Sequence, residues 1–314
     1  MDRLFRQIGE TELYGSQATL NSLQGSLREN RSSGMIEVQL NATRQIVLVF
    51  ANGTQVGAYL REGSEIRPFR LEELPVLWGG APLSLRAATL PDKAGRALWL
   101  MLESRWQDRL EVPGGAAWDE VLKRWNNEKF DGVVEVTSEA GQGFSVIHAG
   151  EFIASESIFC DGNKFDASLP ERLRAGGDWT ISTYKPSPAA KAWQTLTLRL
   201  GALRWGNGVL DRFQSIAGLK FLQVVDKEIR ILIQPWRWMI LLDETRITDE
   251  HFFTGPEATA QAYRTIFMGM GTQMSFVIGN NLTQRILTEI FEELDREERI
   301  ALESKRLIPA AFSA

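Results

Sequence analysis

Gly34-Met35-Ile36-Glu37-Val38 returns as Gly132-Val133-Val134-Glu135-Val136, 98 positions later (34 to 132). The match extends both ways. Leu20, Leu23 and Leu27 lie over Trp118, Val121 and Trp125 at the same offset. After a one-residue shift, Val49-Phe50-Ala51-Asn52-Gly53 lies over Val146-Ile147-His148-Ala149-Gly150, and Gly79-Gly80 over Gly176-Gly177. Lys93-Ala94 and Leu98 then meet Lys191-Ala192 and Leu196. Matches that are nearly all apolar or glycine are what two copies of one packed unit leave behind. No matching set of polar residues stands out, which favours binding over catalysis. The period is too long for a solenoid, whose units run about 20–50 residues, so this is tandem duplication of a domain.

Each copy reads as a helix followed by a β-meander. Leu20, Leu23 and Leu27 have helical spacing, and the polar run from Arg28 to Gly34 ends the helix. Met35 to Leu40 alternates as a strand. Ile46 to Phe50 is a continuous apolar run, the signature of a strand covered on both faces. Asn52-Gly53 is a two-residue turn into a third strand, Gln55 to Leu60. Leu71 to Trp78 reads as a short helix and Leu83 to Ala87 as a strand. Leu98, Leu102, Trp106 and Leu110 at i, i+4 spacing predict one helix from about Lys93 to Leu110. Val112-Pro113-Gly114-Gly115 then marks a boundary.

These readings give an α+β protein: an N-terminal segment 1–15, unit 1 over 16–112, unit 2 over 116–213 and a C-terminal α+β region over 214–314. In that last region Leu219 to Val225, Ile229 to Ile233 and Trp238 to Leu242 read as strands. Gly255-Pro256 opens a helix to Ile278. Leu282, Ile286, Ile290, Phe291 and Leu294 form the apolar stripe of a final amphipathic helix.

Composition narrows the function. The chain has 314 residues, 44% hydrophobic, with ten tryptophans and a net charge of −5. It can bury a sizeable core, and its acidic balance argues against a nucleic-acid surface, which needs clustered Lys and Arg. The single cysteine, Cys160, excludes an internal disulfide and a cysteine-rich zinc site. That suits a cytoplasmic protein. Met1 to Glu10 has no apolar core of a signal peptide, and no stretch reaches about 18 apolar residues.

Ser33-Gly34-Met35-Ile36-Glu37-Val38, Ile46 to Gly53 and Val56-Gly57-Ala58 together resemble the PATAN-type domains, a bacterial family. The second copy resembles it at Asp131 to Val136, Val146 to Gly150 and Ile153-Ala154. The resemblance covers about 40 residues of each copy (34–58 and flanking positions in the first). It implies a non-catalytic role in signalling or motility, exerted through protein contacts.

Few residues are placed for chemistry. His148 replaces Ala51 of the first copy and reads as a side chain capping a turn. His251 follows Asp249-Glu250, as in a carboxylate–histidine pair, though adjacent residues seldom face each other. Cys160 lacks an evident base. Asp243-Glu244 and Asp249-Glu250 form a small acidic cluster. No phosphate-binding glycine motif is present. The residues therefore predict no catalytic site, no cofactor and no metal. The expected partner is another protein, with neither nucleic acid nor membrane, and the final helix is expected to dock either on its own C-terminal region or on a second copy in a homodimer. The predicted partner surface is Trp236, Trp238, Ile286, Ile290, Phe291 and Leu294. A second reading is a small-molecule sensor, its apolar pocket lying between residues 219–225 and the helix bearing Met268, Met270 and Met274.

Overall fold

The computed structural model describes residues 11–312 apart from 64, 80, 81, 114, 162, 163, 167 and 244. Readings that rest on Met1 to Glu10, on Gly80, on Gly114 and on Glu244 lie outside the described residues. The protein is α+β and divides into two units, Met1–Ala190 and Lys191–Ala314.

The first unit holds two six-stranded sheets. One comprises β1 (Thr11–Gly15), β2 (Gly34–Gln39), β3 (Arg44–Ala51), β4 (Thr54–Glu62), β5 (Glu65–Pro68) and β6 (Leu83–Thr89), in the order β1-β6-β2-β3-β4-β5. The other comprises β7 (Ser104–Val112), β8 (Gly132–Thr137), β9 (Gln142–His148), β10 (Glu151–Asp161), β11 (Lys164–Asp166) and β12 (Trp179–Pro186), in the order β7-β12-β8-β9-β10-β11. Adding six to every strand number converts one order into the other. The helices repeat as well: α1 (Gln17–Glu29), α2 (Leu74–Trp78) and α3 (Asp92–Leu102), then α4 (Ala116–Glu128), α5 (Leu169–Ala175) and α6 (Lys191–Ala217).

The repeat holds at the level of single hydrogen bonds. Both α1 and α4 end on a left-handed residue, Arg31 and Lys129. The next amide reaches back to the helix in each: Ser32 N donates to Leu27 O at 2.9 Å, and Phe130 N to Trp125 O at 3.0 Å. The hairpin turns Asn52-Gly53 and Ala149-Gly150 all have positive φ, as a two-residue type I′ turn requires. Each turn presses on its helix terminus. A Cβ on Gly53 would lie 2.9 Å from Arg28 O, and one on Gly150 would lie 2.5 Å from Asn126 Cα.

Core volumes compensate between the copies. Leu20 and Leu27 pack on Ile46 and Leu48 in the first. Trp118 and Trp125 replace the leucines in the second, where Gly143 and Ser145 stand at the matching strand positions. Larger helix residues over smaller strand residues keep the layer filled.

Two boundaries of the sequence reading are corrected. The helix expected over 93–110 stops at Leu102, and residues 104–112 form β7, paired with β12. The second sheet thus begins before the Pro-Gly boundary. Likewise β1 pairs with β6, so residues 11–15 belong to the first sheet and not to a separate segment. α3 is buried at every position from Ala94 to Leu102, touching β2 and β3 of one sheet and β8, β9, β10 and β12 of the other. A helix apolar all round belongs in a core.

The second unit is mainly helical. It contains α6, α7 (Leu219–Ile233), a hairpin of β13 (Ile240–Asp243) and β14 (Arg246–Asp249), α8 (Pro256–Ile278), α9 (Asn280–Glu293) and α10 (Arg296–Ser304). α6 supplies its central side chain, Trp205, which is fully buried against Phe267, Phe291 and Phe312 and donates to Leu287 O at 3.0 Å. α6 thus packs in this unit, and the C-terminal region starts at Lys191 instead of 214. The strands expected over 219–225 and 229–233 are corrected to one helix, α7, whose inner stripe is Leu222, Val225, Ile229 and Ile233.

Candidate interaction surface

The polar groups buried in the first unit hold it together. Arg96 on α3 forms a paired contact with Glu156 beside the irregularity in β10, Nε–Oε2 2.9 Å and Nη2–Oε1 3.3 Å, with both side chains buried. Trp99 Nε1 donates to Tyr59 Oη at 2.8 Å, and Tyr59 donates to Glu103 Oε1 at 2.7 Å. Burial, then the Glu103 charge, pushes the Tyr59 phenol far above its ordinary value.

One polar match between the copies escaped the sequence reading, which found none. Glu37 and Glu135 are both buried on the sheet face away from α1 and α4, each with a glutamine from the neighbouring strand. Gln142 donates to Glu135 Oε1, and Tyr184 donates to Glu135 Oε2 at 2.8 Å. Gln45, with its amide nitrogen turned inward, donates to Glu37 Oε1 and accepts from Arg61 Nη1 at 2.7 Å. Burial, then the Glu135 charge, raises Tyr184 far above the usual phenol range. The signal was legible: Glu37 and Glu135 stand inside the repeated pentapeptide itself.

The singled-out reactive residues are equally committed. His148 Nδ1 lies 3.0 Å from Asp131 Oδ1, and the Ala149 amide donates to the same oxygen at 2.7 Å. Ser33 Oγ accepts from the Asn52 amide at the matching place in the first copy, at 3.1 Å. Asp131 therefore caps the hairpin turn, and His148, read as the capping side chain, pairs with that carboxylate instead. Burial works to raise Asp131, but the bonds from His148 and Ala149 prevail and hold its carboxyl below the ordinary value. Cys160 is buried, which raises its thiol, as do the charges of Asp161 and Asp166. Asp249 does not pair with the His251 ring. It accepts from Arg199 Nε at 2.8 Å, from Tyr263 Oη at 2.7 Å and from the His251 amide at 2.8 Å.

The predicted partner surface splits in two. Ile286, Phe291 and Leu294 are buried in the core of their own unit, and Ile290 packs against it. That stripe is corrected to an intramolecular seam: α9 docks on α6 and α8. Trp236 and Trp238 do remain at the surface, though not on a strand. Gln234–Trp236 is a 3-10 turn, Arg237 is left-handed, and the two indoles stack with centroids 5.2 Å apart and planes 6° apart. Trp236 is 52% exposed, while Trp238 leans on the unit's core. Where the apolar pocket was expected, Leu222, Val225 and Ile229 share one core with Met270 and Met274, while Met268 is exposed.

Beside this turn lies a surface the sequence reading missed. Ile216, Leu219, Phe221, Val224, Ile231, Trp236, Met239 and Leu241 are eight of the fourteen large apolar side chains exposed among the described residues. All eight fall within 216–241. On α7 the outermost stripe runs Lys220, Val224, Lys227, Ile231 at i, i+4, i+7, i+11, flanked by Phe221, and faces away from Leu222, Val225, Ile229 and Ile233. Exposed apolar side chains gathered in one segment in this way make it a candidate interaction site.

No family model matches the chain, and no curated protein and no solved structure matches it either. No helix is long and apolar enough to cross a membrane among the described residues.

Proposed function

We propose that the chain is a non-catalytic, cytoplasmic interaction module that regulates through a protein–protein contact on the outer face of α7 and the Trp236 turn. The observation that carries this reading is the crowding of exposed apolar side chains into 216–241. The commitment of the buried carboxylates and of His148 to structural partners, and the burial of Cys160, support it from the other side. The resemblance of both copies to PATAN-type domains points the same way and adds bacterial signalling or motility as the setting.

The test is co-purification from the native cell, comparing wild type with Val224→Asp/Ile231→Asp. Both positions are exposed, so the variant should fold normally, as a matching melting temperature would show. A protein retained by wild type and absent from the variant is the expected result. Identical retained proteins, with the fold intact, would reject the reading.

A further inference from the structure

The chemistry of the α7 face specifies its occupant. Four basic residues, Lys220, Lys227, Arg230 and Arg237, lie among its apolar side chains, against Asp226 and Glu228. Asp226 is taken by Arg230, at 2.9 Å one helical turn away. Glu228 is half-buried on the side facing α8, its Cγ 3.6 Å from where a Cβ on Gly269 would sit. No carboxylate among the described residues pairs with Lys220, Lys227 or Arg237. The outermost stripe therefore alternates cation and aliphatic along Lys220, Val224, Lys227 and Ile231, about 16 Å of helix at about 1.5 Å per residue.

We infer that this face binds an acidic amphipathic helix of a partner protein, with apolar residues set between α7 and the Trp236 turn and Glu or Asp flanking them toward Lys220, Lys227 and Arg237. This rests on the interaction reading above and names the partner's chemistry. A helical partner follows because α7 has its backbone groups paired within itself and offers no ladder to an extended strand, whereas a helix brings its own hydrogen bonds satisfied. Acidity follows from charge complementarity with the unpaired cations. A second copy is disfavoured by its own structure. Its acidic helices α9 and α10 turn Ile286, Leu287, Phe291, Leu294 and Leu302 inward, leaving Ile300 as their exposed large apolar residue. A bilayer is disfavoured because lipid-binding basic clusters gather four to eight Lys and Arg, and three are unpaired here.

The test uses the full chain and a fluorescein-labelled 18-residue helical peptide bearing leucine at i, i+3, i+4 and i+7 positions and glutamate beside them. A second peptide carries lysine in place of every glutamate. Fluorescence anisotropy should show the acidic peptide binding at least tenfold more tightly than the basic one, weakening several-fold between 50 and 300 mM NaCl. Val224→Asp/Ile231→Asp should abolish binding, and Lys220→Glu/Lys227→Glu should reverse the charge preference. Equal affinity for the two peptides, or no binding of the acidic one, overturns the inference. So does binding to vesicles of 30% phosphatidylserine, or a concentration-dependent dimer, that the same substitutions remove. Should the acidic peptide fail while Val224→Asp/Ile231→Asp still strips a protein in co-purification, the acidic-helix assignment falls and the interaction reading stands. If co-purification is also unchanged, both fall.

Discussion

Single residues carry the repeat. Gly53 has φ 80° and packs against the end of α1. Gly53→Val combines a β-branched side chain in the left-handed region with a clash on Arg28, and should cost on the order of 1–2 kcal/mol or more. Gly150→Val meets the same two obstacles in the second copy. Thermal unfolding of both variants checks this, and an unchanged transition in either contradicts it. The buried Arg96–Glu156 pair predicts a different pattern. Arg96→Ala takes the cation from a buried carboxylate and should cost about 3–5 kcal/mol, whereas Arg96→Met/Glu156→Leu should restore most of that, as read by thermal unfolding. Asp131 gives a pH signature. Its folded pKa is depressed, so its stabilisation is fully present above the ordinary carboxylate range near about pH 4. It is lost as pH falls through the lower folded value. Asp131→Asn should remove that part of the acid dependence, read as a smaller loss of melting temperature between pH 5 and pH 3.

Among the elements, the meander strands and their turns were legible because alternation and the Asn-Gly pair are local signals. β7 was not. Trp106 and Leu110 continue by coincidence the i, i+4 spacing of Leu98 and Leu102, so periodicity ran straight through the helix end. What stops the helix is the chain leaving helical geometry after Leu102, with Ser104 Oγ donating to Leu100 O at 2.6 Å. α7 was misread for a reason that bears on function. Its inner stripe of Leu222, Val225, Ile229 and Ile233 is helical, but Leu219, Phe221, Val224 and Ile231 add apolar residues on the outer face and blur the period. The surplus that hid the helix is the surface that the account assigns to a partner. Helix and strand make opposite predictions at adjacent positions. Val224→Asp should stay within about 0.5 kcal/mol of wild type, as exposed sites do, while Val225→Asp should unfold the second unit. Circular dichroism melts decide it, and equal damage from both would contradict α7. The final helix predicts a further loss. Truncation after Gly279 removes Ile286, Leu287, Phe291 and Leu294 from the core and takes Leu287 O from Trp205. Aggregation or a molten second unit is expected, and a monodisperse product with an unchanged melting temperature would contradict the intramolecular seam.

On the scale of the molecule, duplication was visible because packing leaves apolar and glycine matches at fixed offsets, and the identical strand orders of the two sheets express the same duplication in three dimensions. The proposed interaction surface was only half visible. Trp236 and Trp238 could be picked out as aromatic residues beside a proline, and they stack at the surface. Ile286, Phe291 and Leu294 could not be sorted into core or interface from periodicity, since an amphipathic stripe looks the same whichever protein covers it. Here its own unit covers it. The claim that joins these scales is that the outer face of α7 is where the protein meets its partner. A photo-cross-linking amino acid at position 224 or 231 in the living cell tests it most directly, with position 120, exposed on α4, as the control. One discrete higher-mass adduct is expected from 224 and 231 and none from 120. Adducts at equal yield from all three positions, or from none, would contradict it.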